Sequence, residues 1–103
     1  VNPVQEWIFD TVLVWAEGTL SEEEVIAMIK ARGSHISLDV VDPVARLSEL
    51  LLSAGRSTGQ RQYKILAHHF ARFGARAVIE LNYNDLGRAD KLRDCCMKVV
   101  KET

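Results

Sequence analysis

Apolar residues recur every three or four positions along most of the chain, which is the spacing of amphipathic helices. Asn2 followed by Pro3 is a typical helix start, and Gly18 is a typical stop. A first helix is therefore predicted over about residues 3–17. The β-branched run at residues 11–14 would also suit a strand, but the apolar positions follow helical spacing: Val4, Trp7, Ile8, Thr11, Val12 and Trp15.

The second helix has the clearest start signal in the chain. Ser21 precedes three glutamates, and Glu24 stands at the position that completes a capping box. Acidic side chains in the first turn also favour the positive end of the helix dipole. This helix is predicted to end near Gly33. Residues 33–41 lack helical periodicity, so a loop or one short extended piece is predicted there.

Three more helices follow from the same signals. Asp42 and Pro43 repeat the cap-plus-proline pattern, so a third helix is predicted from there to Gly55. Residues 55–59 have the composition of a mobile connection. A fourth helix is predicted over about 60–81 and a fifth after the cap at Asp85, each with an apolar stripe.

These elements predict an all-α fold, a compact bundle or orthogonal packing of about five helices in one domain spanning residues 1–103. Hydrophobic residues make up 48% and charged residues 26% of the chain, as in ordinary globular domains. The chain begins without an initiator Met, so a fragment of a longer protein is considered. No apolar run is long enough to span a membrane. Two adjacent cysteines suit a reducing compartment, so an intracellular location, cytoplasmic or nuclear, is expected.

The net charge of −1 hides an uneven distribution along the chain. Residues 1–49 carry nine acids and three bases, a net charge of −6. Residues 50–79 contain no acid and carry five bases, a net charge of +5. The most informative feature of the composition is therefore an acidic half followed by a basic segment.

Four of the five bases in residues 50–79 lie on one face of the fourth predicted helix. They form a ridge roughly 20 Å long, at about 1.5 Å per residue, opposite an aromatic stripe that includes Phe70 and Phe73. Three interpretations remain open: a solvated face that pairs with the acidic half, a surface for an acidic protein partner or a second copy, and a surface for nucleic acid. The candidate contact residues are Arg56, Arg61, Lys64, His68, Arg72 and Arg76.

Trp7 and Trp15 are eight residues apart and so lie near one face of the first helix. Core burial is the first interpretation, because two tryptophans are costly to leave in water. The second interpretation is a dimer or partner surface, in which tryptophan is enriched.

The sequence offers little sign of catalysis, metal binding or a cofactor. His68 and His69 are consecutive and point about 100° apart on a helix, so they cannot share one metal ion. Cys95 and Cys96 are neighbours on a helix, where a disulfide between them is incompatible with the geometry, and core packing is expected. No nucleophile elbow or phosphate loop is present. We therefore expect no enzyme activity, no metal and no cofactor.

The function expected from these patterns is a helical, non-enzymatic interaction module that binds a protein partner or a second copy through the basic helix face. The alternative is an RNA-binding protein that uses the ridge from Arg61 to Arg76 to follow phosphates without regard to base sequence.

Overall fold

The computed structural model describes residues 2–103, and within that range it contains helices and no strand, so the predicted all-α fold is confirmed. The five α-helices pack against one another in a compact bundle. A short 3-10 turn, Gly33–His35, lies between the second and third helices. The helices are α1 (Pro3–Ala16), α2 (Glu22–Ala31), α3 (Leu38–Thr58), α4 (Arg61–Glu80) and α5 (Leu86–Glu102).

The predicted starts of α1 and α2 are confirmed by their capping hydrogen bonds. The Val4 amide donates to the side-chain oxygen of Asn2 at 2.9 Å. At the second start, the Glu24 amide donates to the Ser21 hydroxyl at 3.2 Å, and the Ser21 amide donates to the Glu24 carboxylate at 3.1 Å. Both helices therefore begin where side chains satisfy amides that have no partner inside the helix.

Helix α3 starts earlier than the sequence predicted, so the loop or extended piece predicted at 33–41 is wrong in its second half. Ser37 is the N-cap, and Pro43 lies inside the helix. Pro43 has no amide hydrogen to donate, which costs the helix one backbone hydrogen bond. Burial of three apolar side chains in the first turn offsets this cost: Leu38, Val40 and Val41.

The connection predicted at residues 55–59 is also mostly helical. Gly55 does not end α3 but lets α4 approach closely, because a Cβ at that position would lie 2.9 Å from Lys64 Cγ. The helix ends at Gly59, whose φ of 69° is in the left-handed region that glycine adopts without strain. The turn between α3 and α4 therefore consists of two residues, Gly59 and Gln60.

Helix α4 is the central element, and the other four helices pack around it. The contacts that place α1 and α2 against α4 include a Trp15–His69 ring pair and an ion pair between Glu22 and Arg72. The predicted aromatic stripe of α4 faces the core, where Phe70 is 2% and Phe73 1% exposed. Only a narrow strip of α4 is left to solvent.

The side of α4 that faces α3 and α5 consists of small residues, which let the helix backbones come close together. Gly74 shows this best, because a Cβ at that position would lie 2.7 Å from the sulfur of Cys96 on α5 and 3.8 Å from Val44 on α3. Around it lie three fully buried alanines of the same helix: Ala67, Ala71 and Ala75. A side chain of any size at this point would force α5 away from α4.

The first prediction concerns this contact. Gly74→Ala is expected to destabilise the fold by about 1–3 kcal/mol, because the added methyl group overlaps the sulfur of the fully buried Cys96. The measurement is urea unfolding of the variant and the wild type.

Gly87→Ala is the matched control, because a Cβ at Gly87 would meet no atom closer than 3.8 Å. The substitution should stabilise α5 by up to about 1 kcal/mol through the higher helix propensity of alanine. In a Cys96→Ala background the cost of Gly74→Ala should shrink, since the clashing atom is gone. An unchanged cost in that background would show that the sulfur contact is not the cause.

Candidate interaction site on helix α4

The structure places the predicted basic ridge on the solvent strip of α4, opposite the buried aromatic side chains. Its members differ in exposure along the helix: the first two are exposed, and the last three are half-buried. They are Arg61, Lys64, His68, Arg72 and Arg76, with Arg56 at the end of α3. The ridge is therefore a real surface feature, but its two ends have different surroundings.

At the middle of the helix, Arg72 is paired with the acidic start of α2. Its Nε and Nη2 atoms both donate to the Glu22 carboxylate, the second at 3.0 Å. This hydrogen-bonded pairing lowers the pKa of Glu22 and raises that of Arg72. The charge of Arg72 is thus matched within the domain, as the interpretation of a self-paired face requires.

Arg76 is matched in the same way, one turn further along α4. Its guanidinium donates to Glu80, and Lys30 of α2 contacts the other oxygen of that carboxylate at 3.4 Å. The Nε of Arg76 is buried and has no hydrogen-bond partner among the described atoms. Two cations therefore share one carboxylate, and α2 is held along α4 by charge at both of its ends.

The beginning of the ridge lies beyond the reach of α2. Arg56 forms an ion pair with Glu102 near the end of α5 at 3.3 Å. Arg61 and Lys64, in contrast, are exposed and form no ion pair with any acid in residues 2–103. The unmatched positive charge of the ridge is thus concentrated in the first turn of α4.

This unmatched part of the ridge borders an open groove of about 280 Å³ between α4 and the end of α5. The groove also contains Ile65, whose side chain is 41% exposed. The lining residues are Arg61, Lys64, Ile65, His68, His69 and Thr103. We call Arg61, Lys64, Ile65 and His68 the basic end of α4. Sequence reasoning missed Ile65, although its place four residues after Arg61 puts it on the ridge.

His68 adds little charge to the groove. Burial lowers its pKa below the ordinary 6.5, and the neighbouring His69 and Arg72 lower it further. Its Nδ1 lies 2.9 Å from the hydroxyl of Thr103. His69 donates from Nδ1 to the carbonyl of Ile65 at 2.8 Å and packs edge-on against Trp15. The His68 imidazole therefore serves as a polar wall of the groove more than as a cation.

The two tryptophans of α1 have different surroundings. Trp15 is 8% exposed and belongs to the core, as the first interpretation expected. Trp7 is half-buried: its ring meets Phe73 edge-on at 6.1 Å, and the Arg32 guanidinium lies 4.6 Å from its centre. The two rings therefore offer little open surface. The exposed apolar side chains of α1 are instead Phe9 (45%) and Leu13 (40%), which sequence reasoning did not single out.

The other reactive groups are arranged for packing. Burial raises the pKa of Cys95 to about 11 and that of Cys96 to about 12, and the Cys95 thiol donates to the Glu49 carboxylate at 2.9 Å. Both thiols are therefore protonated at neutral pH, a state that disfavours nucleophilic attack. Across residues 2–103, no three His, Cys, Asp or Glu side chains form a group that could hold a metal ion. None of the described helices combines the length and apolar character that crossing a membrane requires.

Comparisons with protein-family models, curated proteins and solved structures found no match to this chain. The reasons for assigning a function therefore come from the charge and geometry of the site itself.

The second prediction concerns the pairing of Glu22 with Arg72. Because the folded-state pKa of Glu22 is below its ordinary 4.5, the carboxylate contributes stability above that pH and loses it as the pH falls through the lower folded value. Glu22→Gln should therefore lower the unfolding free energy at pH 7, by about 1 kcal/mol or less for so exposed a pair. The deficit should shrink at pH 3.

Glu23→Gln is the control, because Glu23 is an exposed neighbour in the same first turn. Its substitution removes the same charge as Glu22→Gln. Urea unfolding of the three proteins at pH 7 and pH 3 makes the comparison. Equal deficits for both variants, or a deficit for Glu22→Gln that does not change with pH, would contradict the prediction.

Proposed function

We propose that this domain is a non-enzymatic interaction module that binds an acidic, partly apolar protein segment through the basic end of α4. The observation that carries the proposal is the pair of exposed cations, Arg61 and Lys64, that have no acidic partner in the described structure and flank a groove with an exposed isoleucine. The two free cysteines fit a reducing, intracellular compartment.

The contrast between the two ends of the ridge supports this proposal over a merely solvated face. Arg72 and Arg76 have carboxylate partners inside the domain, Glu22 of the acidic half and Glu80 of α4 itself. Arg61 and Lys64 are left out of this arrangement although the chain as a whole has enough acids. Two unmatched cations beside Ile65 combine charge steering with an apolar contact, the pairing that specific protein interfaces use.

The same contrast favours a protein partner over nucleic acid. Binding to phosphates draws its affinity from several released counterions, so it needs several free cations in a row. The alternative of RNA binding along the ridge from Arg61 to Arg76 would require Arg72 and Arg76 to leave Glu22 and Glu80. The remaining acids at the start of α2, Glu23 and Glu24, would repel a phosphate backbone at that point.

The third prediction tests the site by binding. The probes are fluorescein-labelled peptides in which Glu or Asp alternates with Leu or Phe at helical spacing, a poly-glutamate peptide and a short duplex RNA. Fluorescence anisotropy is measured at two salt concentrations. We expect the acidic apolar peptides to bind best. Arg61→Glu/Lys64→Glu should weaken their binding free energy by about 2 kcal/mol or more, because the attraction between the charges becomes repulsion.

The matched control is Lys91→Glu/Arg93→Glu, which makes the same change in net charge on exposed positions of α5. It should leave peptide binding nearly unchanged. Tighter, salt-steep binding of the RNA would overturn the proposal in favour of nucleic acid. Failure of every peptide to bind at low salt, or equal loss in the two variants, would also overturn it.

A further inference from the structure

Helix α1 carries a second surface stripe that the core does not use. Glu6, Phe9, Asp10 and Leu13 follow the spacing i, i+3, i+4 and i+7, so they share one face. Phe9 is 45% and Leu13 40% exposed, and both acids are exposed without an ion pair to any described residue. An edge-on contact with Phe70, with ring centres 5.1 Å apart, holds Phe9 in place. We call these four residues the acidic stripe of α1.

The basic end of α4 has the same spacing and the opposite charge. Arg61, Lys64, Ile65 and His68 also occupy positions i, i+3, i+4 and i+7 of one helix. Each stripe combines two unmatched charges with an exposed apolar side chain, and in α4 the half-buried His68 completes the face. Within one copy the two stripes do not neutralise each other, because no ion pair joins them.

We propose that the acidic segment bound by the basic end of α4 is the acidic stripe of α1 in a second copy of this chain. This inference rests on the proposed function, whose site it uses, and it names the partner. Glu6 and Asp10 supply the two carboxylates that Arg61 and Lys64 lack, and Phe9 and Leu13 cover Ile65.

Such a contact joins two different surfaces of the chain, so it forms an isologous interface in a closed pair and a heterologous one in a chain of copies. Two copies can use it reciprocally in a closed pair, or successive copies can use it once each in a chain. The exposed charges mainly steer the two stripes together and fix their register, whereas burial of the three apolar side chains supplies the favourable contact. Self-association is therefore expected to weaken as salt is added.

The experiment uses two charge-reversed proteins. The first, Glu6→Lys/Asp10→Lys, has a reversed α1 stripe and an intact basic end. The second, Arg61→Glu/Lys64→Glu, has a reversed basic end and an intact α1 stripe. Sedimentation velocity at low salt over a range of concentrations is expected to show self-association of the wild type. Each variant alone should need a concentration at least about tenfold higher, a loss of about 1.4 kcal/mol.

A one-to-one mixture of the two variants should associate again. The mixture restores at least one contact between an acidic α1 stripe and a basic α4 end, whichever of the two assemblies forms. Glu23→Lys/Asp90→Lys is the control, because it reverses two exposed acids on α2 and α5 that lie outside the stripe and should leave association intact. Circular dichroism checks that every variant keeps its helices.

Three results would overturn the inference: a wild type that stays monomeric at the highest concentration, α1 variants that associate like the wild type, or a mixture that does not recover. The acidic-peptide titration separates this failure from failure of the proposed function. If the Glu6→Lys/Asp10→Lys protein still binds the peptides and the wild type is monomeric, only the second-copy partner is wrong. If peptide binding also fails, the proposed function falls with it.

Discussion

The arrangement of the whole domain depends on the close approach of α3 and α5 to the small-residue side of α4. Gly74 permits this approach, because any side chain there would meet Cys96 and then Val44. With α3 and α5 on that side and α1 on the aromatic side, little of the circumference of α4 remains open. Polar and charged residues of α4 are therefore confined to one strip, and the basic ridge follows from the packing as much as from the composition.

Helix α2 is shorter than α4, so only part of the basic strip of α4 lies beside it. Arg76 is paired with Glu80 of α4 itself. Helix α2 runs beside the second half of α4 and offers Glu22 at its start, so Arg72 is also paired within the fold. It does not extend to the first turn of α4, where Arg61 and Lys64 stay unmatched. Part of the basic segment is thus paired with acids of the same chain, and only its unpaired cations, Arg61 and Lys64, are available to a partner.

Local signals in the sequence were enough to predict the five helices, the starts of α1 and α2, and the face of the ridge. The predictions of a helix start at Pro43 and a helix stop at Gly55 are wrong. Tertiary packing outweighs local preference at both positions: buried residues before Pro43 extend the helix, and Gly55 is used for a close approach of Lys64. The partners of the ridge were beyond sequence reasoning, because Glu22 lies 50 residues from Arg72.

The contact between Gly74 and Cys96 also gives the domain a built-in reporter of its own motion. The Cys96 side chain is fully buried, and burial raises the pKa of its thiol to about 12, so a reagent can reach a reactive sulfur only when a local opening of the bundle exposes it. The rate at which a thiol reagent modifies Cys96, relative to a free thiol, therefore measures how often that opening occurs. The modification rate of a sulfur that is packed in the folded core thus reports how frequently the bundle opens locally.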